Sequence, residues 1–146
     1  MPRKLLVVED EPDVLESFMD LVGQVPGYEA HRAINAREAR ELLEAGHWAV
    51  IVADELLPDG SGLELLSEAA HTQPQAARAL MSAYPVFRQL IEGLNLHLVE
   101  KFFAKPFDPP SIEGWLTEVS DRRARASGDF ERIPPLHRDV WIRGGW

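Results

Sequence analysis

The feature that most constrains this chain is a repeated alternation of short apolar runs, rich in branched residues, with segments whose apolar residues recur at helical spacing. The runs are Leu5–Val8, Val50–Ala53, Ala79–Met81 and Leu98–Ala104, with Tyr28–Ala33 a more polar, alternating candidate. Continuous apolar runs suit buried strands, and the alternating one suits a strand nearer an edge. Between them lie the stripes Val14, Leu15, Phe18, Met19 and Val22; Ala39, Leu42 and Leu43; Leu63, Leu66 and Ala70; and Phe87, Leu90, Ile91 and Leu94. Ile112, Trp115, Leu116 and Val119 form the last, each stripe fitting one face of a short helix. Strand and helix alternating five times most economically build a parallel sheet with helices on both faces, joined by right-handed crossovers. The expected fold class is therefore α/β, a three-layer sandwich on a five-stranded parallel sheet.

Local punctuation agrees. Asn35 can cap the second helix and Gly46 follows it, Ser61-Gly62-Leu63-Glu64 has capping-box spacing, and Asp108 precedes Pro109-Pro110 where the last helix begins. After about Arg125 the periodicity fails, with Ala126-Ser127-Gly128-Asp129 and Ile133-Pro134-Pro135 breaking any pattern. The expectation is one domain over residues 1–125 and a C-terminal tail over 126–146 without an output domain. No apolar stretch reaches the roughly 20 residues of a membrane span, so no membrane association and a cytoplasmic location are expected. The absence of cysteine excludes disulfide and thiolate chemistry. The formal charge of −9 is uneven, with 20 Asp/Glu against 9 Lys/Arg before residue 121 and 4 against 6 from there on; the acidic body would repel nucleic-acid phosphates, and direct nucleic-acid binding is not expected.

In open α/β sheets ligands bind beyond the carboxyl ends of the strands. The runs end in Glu9-Asp10-Glu11, Asp54, Ser82 and Lys105, which would meet at one sheet edge as an acidic cluster flanked by a hydroxyl and an ammonium. Crowded carboxylates raise one another's pKa unless a cation neutralises them, and oxygen-only ligands suit a hard cation, Mg2+ before Ca2+. Mg2+ keeps coordination positions for phosphate oxygens, and a carboxylate can serve as the nucleophile in phosphoryl transfer. Asp54 as acceptor, with Mg2+, Lys105 and Ser82, would satisfy that chemistry.

These residues resemble those of the response-regulator receiver family over roughly residues 4–120. Leu5-Leu6-Val7-Val8-Glu9-Asp10-Glu11-Pro12 is similar to the family's opening strand and acidic pocket. Ile51-Val52-Ala53-Asp54-Glu55-Leu56-Leu57-Pro58-Asp59-Gly60-Ser61-Gly62 resembles its acceptor segment, with Pro four and Gly eight residues beyond the phosphorylated Asp. Met81-Ser82-Ala83-Tyr84 and Phe102-Phe103-Ala104-Lys105-Pro106-Phe107 complete the set in family order. The resemblance implies a flavodoxin-like sheet of order 2-1-3-4-5 and a cis Lys105-Pro106 bond. It implies direct Mg2+ ligation by Asp10 and Asp54, help from Glu9 through water, and a backbone ligand from the Leu56 carbonyl. It also implies that Lys105 and Ser82 meet phosphoryl oxygens, and that Ser82 and Phe102 act as switch residues. Glu9 replaces the commoner Asp, and Phe102 lacks a tyrosine hydroxyl, so any switching there works by packing.

The function expected is a phosphorylation-controlled signalling switch of a two-component system, a substrate and switch rather than an enzyme. Its expected partners are a sensor histidine kinase or phosphotransfer protein and a downstream protein target, met through the fourth predicted helix, fifth strand and fifth helix; a homodimer through that surface is compatible with the same reading. Two rivals stand beside it: a receiver-like interaction module that ignores phosphate, and a Mg2+-dependent phosphohydrolase with Asp54 as nucleophile, for which no second general acid or cap segment is evident. Blander readings exist for single residues. Glu9-Asp10-Glu11 could simply favour a helix N-terminus, Asp54 could be a turn residue, and Phe102 could be core packing.

Overall fold

Strands form where the apolar runs lie. The computed structural model describes residues 2–84, 86, 88 and 98–126. Its elements are β1 (Arg3–Val8), α1 (Pro12–Gly23), β2 (Tyr28–Ala33), α2 (Ala36–Glu44), β3 (Val50–Asp54), β4 (Leu56–Leu57), β5 (Gly60–Ser61), α3 (Gly62–Thr72), β6 (Ala77–Ser82), β7 (Lys101–Ala104) and α4 (Pro109–Ala126). The fourth predicted helix, residues 127–146 of the tail with Trp141 and Trp146, and His97 and His137 lie outside the described residues. The chain divides into two compact units, Met1–Glu113, which holds every described strand, and Gly114–Trp146.

The sheet has five parallel strands in the order β2-β1-β3-β6-β7. This is the implied 2-1-3-4-5 order once the two-residue strands β4 and β5 are set aside. Successive side chains alternate between faces. Leu6, Val8, Ile51, Ala53 and Leu80 pack with Ala39 and Leu43 of α2 and Leu65, Leu66 and Ala69 of α3. The alternate residues Leu5, Val7, Val50, Val52, Ala79 and Met81 are equally buried, and α1, which contacts β1 and β2, contributes buried Leu15, Phe18, Leu21 and Val22.

Two expectations need correction. The run Leu98–Ala104 forms a strand only from Lys101, and it is not a buried strand: it occupies the second edge, where Phe103 alone of its residues is buried. The α3 stripe is Leu65, Leu66 and Ala69, with Leu63 and Ala70 half-buried, because both flanks of an apolar stripe look alike until a partner surface selects one. The caps behave as expected. Asn35 Oδ1 accepts from the Glu38 amide at 2.8 Å, and Ser61 Oγ from the Glu64 amide at 3.2 Å. Asp108 instead accepts the Ser111 hydroxyl at 2.7 Å, while the Ser111 N–H goes to the Asp108 carbonyl at 3.1 Å. Ile112, Trp115, Leu116 and Val119 of α4 are all buried.

Trp48 and Gln73, neither singled out from the sequence, lock the amino-terminal edge of the sheet. Trp48 is buried, donates Nε1–H to the Leu42 carbonyl at 3.0 Å, and has Lys4 Nζ 4.4 Å from its ring centroid. Gln73 donates to the Leu43 and Gly46 carbonyls, both at 2.7 Å, and accepts from the Trp48 amide at 2.9 Å. Gln73→Ala leaves three part-buried backbone groups without that partner and should cost about 2 kcal/mol in urea unfolding. A change below a few tenths would mean that water replaces the amide.

Candidate functional site

The carboxyl ends of β1, β3, β6 and β7 deliver Glu9, Asp54, Ser82 and Lys105 to one edge of the sheet. Parallel register sets their levels: Asp54 pairs with Met81 and Ser82 with Ala104, while Glu9 N–H reaches the Ala33 carbonyl at 3.0 Å and Lys105 N–H the Ser82 carbonyl at 3.0 Å. Each polar residue thus begins where its strand's core contacts stop. The Lys105-Pro106 bond is cis, and Phe107 beyond it meets Phe18 of α1 edge-on, with ring centroids 5.6 Å apart.

Lys105 is the centre of the cluster. Its Nζ donates to Asp54 Oδ2 at 2.7 Å and lies 2.8 Å from Glu9 Oε2 and 3.9 Å from Glu11 Oε1. The Glu9 contact is an ion pair not aligned as a hydrogen bond, and leaves Oε2 otherwise without a protein partner. Glu9 is fully buried and the Lys105 side chain is 13% exposed. Burial, the largest influence, pushes the Glu9 carboxyl up to about 7; the Lys105 ammonium and the Glu11 amide oppose this, and the Asp54 charge adds to it. Burial acts to lower the Lys105 pKa, but its interactions with Asp54 and Glu9 prevail and raise it.

Oxygens of Glu9, Glu11 and Asp54 lie within 4.8 Å of one another. Three carboxylates around one ammonium leave an excess of negative charge, and their oxygen-only donors fit a hard divalent cation. Asp54 Oδ1 accepts from the Leu56 amide in the loop that follows, at a long 3.4 Å, so it keeps lone pairs for a ligand. The third converging carboxylate is Glu11, which the sequence reasoning did not name as a ligand. Asp10 and Glu11 are both exposed, and Asp10 lies outside that group of three. Ser82 is buried with its Oγ accepting from the Tyr84 amide at 3.0 Å. Leu56 and Tyr84 are exposed at this edge. Phe102 is half-buried against the core, with Arg88 Cζ 5.3 Å from its ring centroid.

The loop after Asp54 has internal order invisible in the motif. β4 and β5 pair antiparallel, Leu56 with Ser61 and Leu57 with Gly60. Gly62 N–H reaches the Glu55 carbonyl at 2.9 Å, and the Ser61 hydroxyl donates to Glu55 Oε1 at 2.9 Å. Glu55 is buried, and that burial is the main reason its pKa is raised. Strand alternation was the available signal for it: if Asp54 points to the site, its neighbour points away from it.

Comparisons with known proteins agree with this arrangement. The family model for the response regulator receiver domain matches residues 5–116. The chain is 32% identical to the transcriptional regulatory protein BasR of Escherichia coli, over 97% of this chain and 65% of BasR. It is 35% identical to the response regulator protein PilR of Pseudomonas aeruginosa, over 73% of this chain and 23% of PilR. Among solved structures, a receiver domain protein described as CheY-like from Methanospirillum hungatei superposes with a TM-score of 0.76 at 24% identity, covering 86% of this chain and 99% of that one. TrrA of Thermotoga maritima, solved in complex with Mg(2+)-BeF, gives 0.70 at 25% identity, covering 80% and 98%. Because the matched span runs from the first core strand into α4 and takes in all the converging residues, this chain belongs to the response regulator receiver domain family, the phosphorylation-controlled signalling modules of two-component systems.

Proposed function

We propose that this chain accepts a phosphoryl group on Asp54 with Mg2+ bound beside it, and changes its protein-binding surface in response. The observation that carries this reading is Lys105 Nζ, held between the buried carboxylates of Asp54 and Glu9. Asp54, Glu9 and Asp10, with the Leu56 carbonyl, are the proposed metal-site residues, and Glu11 joins them on the strength of its convergence. When bound, Mg2+ would neutralise the carboxylates and the charge on the phosphoryl oxygens.

An Asp54 carboxylate oxygen attacks phosphorus, forming the aspartyl P–O bond as the donor's bond to phosphorus breaks and the donor atom leaves with its electron pair. Lys105 then offers its ammonium to a phosphoryl oxygen in place of the free carboxylate. Ser82 Oγ uses a lone pair on the Tyr84 amide, which leaves its hydroxyl hydrogen to donate to another phosphoryl oxygen. That recruitment draws on the loop after β6, and Phe102, packed beneath Arg88, is the proposed aromatic that moves with it.

The phosphoryl donor is a sensor histidine kinase or phosphotransfer protein, the output is contact with a downstream protein, and pairing of two copies is compatible with the same reading. Residues 1–125 are assigned to the receiver and 126–146 to a tail. BasR is named a transcriptional regulator, but the present chain spans 65% of it, and an acidic body gives no reason to assign nucleic-acid contact to these residues. Acetyl phosphate with Mg2+ should give a phosphate adduct by intact mass, lost without Mg2+ and in Asp54→Ala. No adduct under any of these conditions would replace this reading with a phosphate-independent interaction module.

A further inference from the structure

We infer that Asp59 is a positioning residue for the acceptor site: its carboxylate latches the tip of the β4–β5 hairpin onto the first turn of α2 and so holds the Leu56 peptide beside Asp54. This rests on the proposed metal-assisted chemistry at Asp54. The first turn of a helix presents N–H groups that have no partner within the helix. In α2 the local sequence satisfies only some of them. Asn35 Oδ1 accepts from Glu38 N–H at 2.8 Å, and the Glu38 carboxylate reaches back to Ile34 N–H at 3.2 Å. The two amides between are taken from a distance: Asp59 Oδ1 accepts from Ala36 N–H at 2.7 Å and Oδ2 from Arg37 N–H at 2.9 Å. The Ala36 amide above all, assisted by that of Arg37, holds the Asp59 carboxyl below its ordinary range.

An aspartate at a helix N-terminus is ordinary. This one is not in the helix's own sequence but in the loop that leaves the acceptor, in the two-residue turn between paired Leu57 and Gly60. The base of that hairpin is closed on Glu55, the residue that follows β3, by the Gly62 amide on the Glu55 carbonyl and by the Ser61 hydroxyl on the Glu55 carboxylate. Its tip is tied to α2 by Asp59. Leu56 lies between the two ties, and its amide is the group that reaches Asp54 Oδ1. With the tip released, the hairpin pivots on its base and carries the Leu56 peptide, amide and carbonyl together, away from the acceptor.

The test compares Asp59→Ala and Asp59→Asn with Asn35→Ala, which removes a cap from the same helix without touching the acceptor loop. Calorimetric Mg2+ titration, acetyl phosphate labelling and urea unfolding are followed on each, with Leu56 amide hydrogen exchange in the metal-free protein. Both alanine variants should be less stable than wild type. Asp59→Ala alone should weaken Mg2+ binding by about tenfold, as outer-shell partners of metal ligands do, and speed Leu56 exchange. Asp59→Asn, which keeps one accepting oxygen, should fall between. An unchanged Mg2+ affinity in folded Asp59→Ala overturns the proposal, and so does an equal weakening by Asn35→Ala, which would reduce Asp59 to a helix cap. Wild type that binds Mg2+ but takes no phosphoryl group sinks the reading at Asp54 and leaves the latch to be judged on affinity and exchange; wild type that binds no Mg2+ overturns both.

Discussion

Gly62→Ala should lose at least about 3 kcal/mol of stability and most of its phosphoryl acceptance, because the new methyl has no space to enter. A Cβ built on Gly62 collides with the Asp54 carbonyl oxygen, lies 2.7 Å from the Asp54 carbonyl carbon and 3.2 Å from Glu55 Cα. All three are backbone atoms of β3 and the residue after it, so no side-chain rotation relieves the contact. Moving α3 outward would break the Gly62–Glu55 hydrogen bond that closes the loop and displace Ser61, which both caps α3 and binds Glu55. Gly23, at the end of α1, has nothing within 4 Å of an added Cβ, and Gly23→Ala should be neutral or slightly stabilising. Urea midpoints for the two variants decide the matter, and a Gly62→Ala protein as stable as wild type would refute the close approach.

The second large effect is expected at Lys105. Lys105→Met leaves Glu9 and Asp54 as buried carboxylates without their shared cation, which should cost the metal-free protein about 3 kcal/mol near pH 8. The cost should shrink on acidification, since Glu9 can escape it by taking a proton. Even with Lys105 present, burial pushes the Glu9 carboxyl up to about 7 from an ordinary 4.5. Between those values the folded protein binds more protons than the unfolded chain, so Glu9 favours folding most fully below its unfolded pKa, and that contribution is lost as pH rises through about 7. Its size is at most roughly 3 kcal/mol. Metal-free wild type should therefore lose stability relative to Glu9→Gln from pH 5 to pH 8, and Lys105→Met should lose more. Mg2+, which binds the ionised carboxylates, should raise the melting temperature more at pH 8 than at pH 5.5. Parallel pH profiles for wild type and Glu9→Gln would show that Glu9 is ionised throughout.

The strand ends were legible because each is a local event: Asp54 follows Val50–Ala53 and Ser82 follows Met81, so a change from apolar to polar marks the edge of the core without knowledge of the neighbours. The side on which a helix buries its stripe was less legible, as α3 shows. So was the choice between Asp10 and Glu11. Adjacent acids at a strand-to-helix turn read alike, and only the backbone path decides which one faces Lys105. The exposure of β7 was likewise hidden in its own residues, because Phe102 and Phe103 are apolar whether or not a further strand covers them; only the implied order 2-1-3-4-5 put that strand at an edge.

The alternation of strands and helices, hence a parallel sheet, and the kinds of groups that meet at its carboxyl edge follow from the order of the residues alone. Apolar period and chain punctuation depend on near neighbours, and right-handed crossovers then leave few ways to assemble them. Long-range packing sets which carboxylates converge on Lys105, how Glu55 is buried against Ser61, and that Asp59 reaches the amides of Ala36 and Arg37. Those contacts join residues far apart in the chain or select among chemically equal neighbours, so their energies depend on distances that exist only after the sheet has closed around its core.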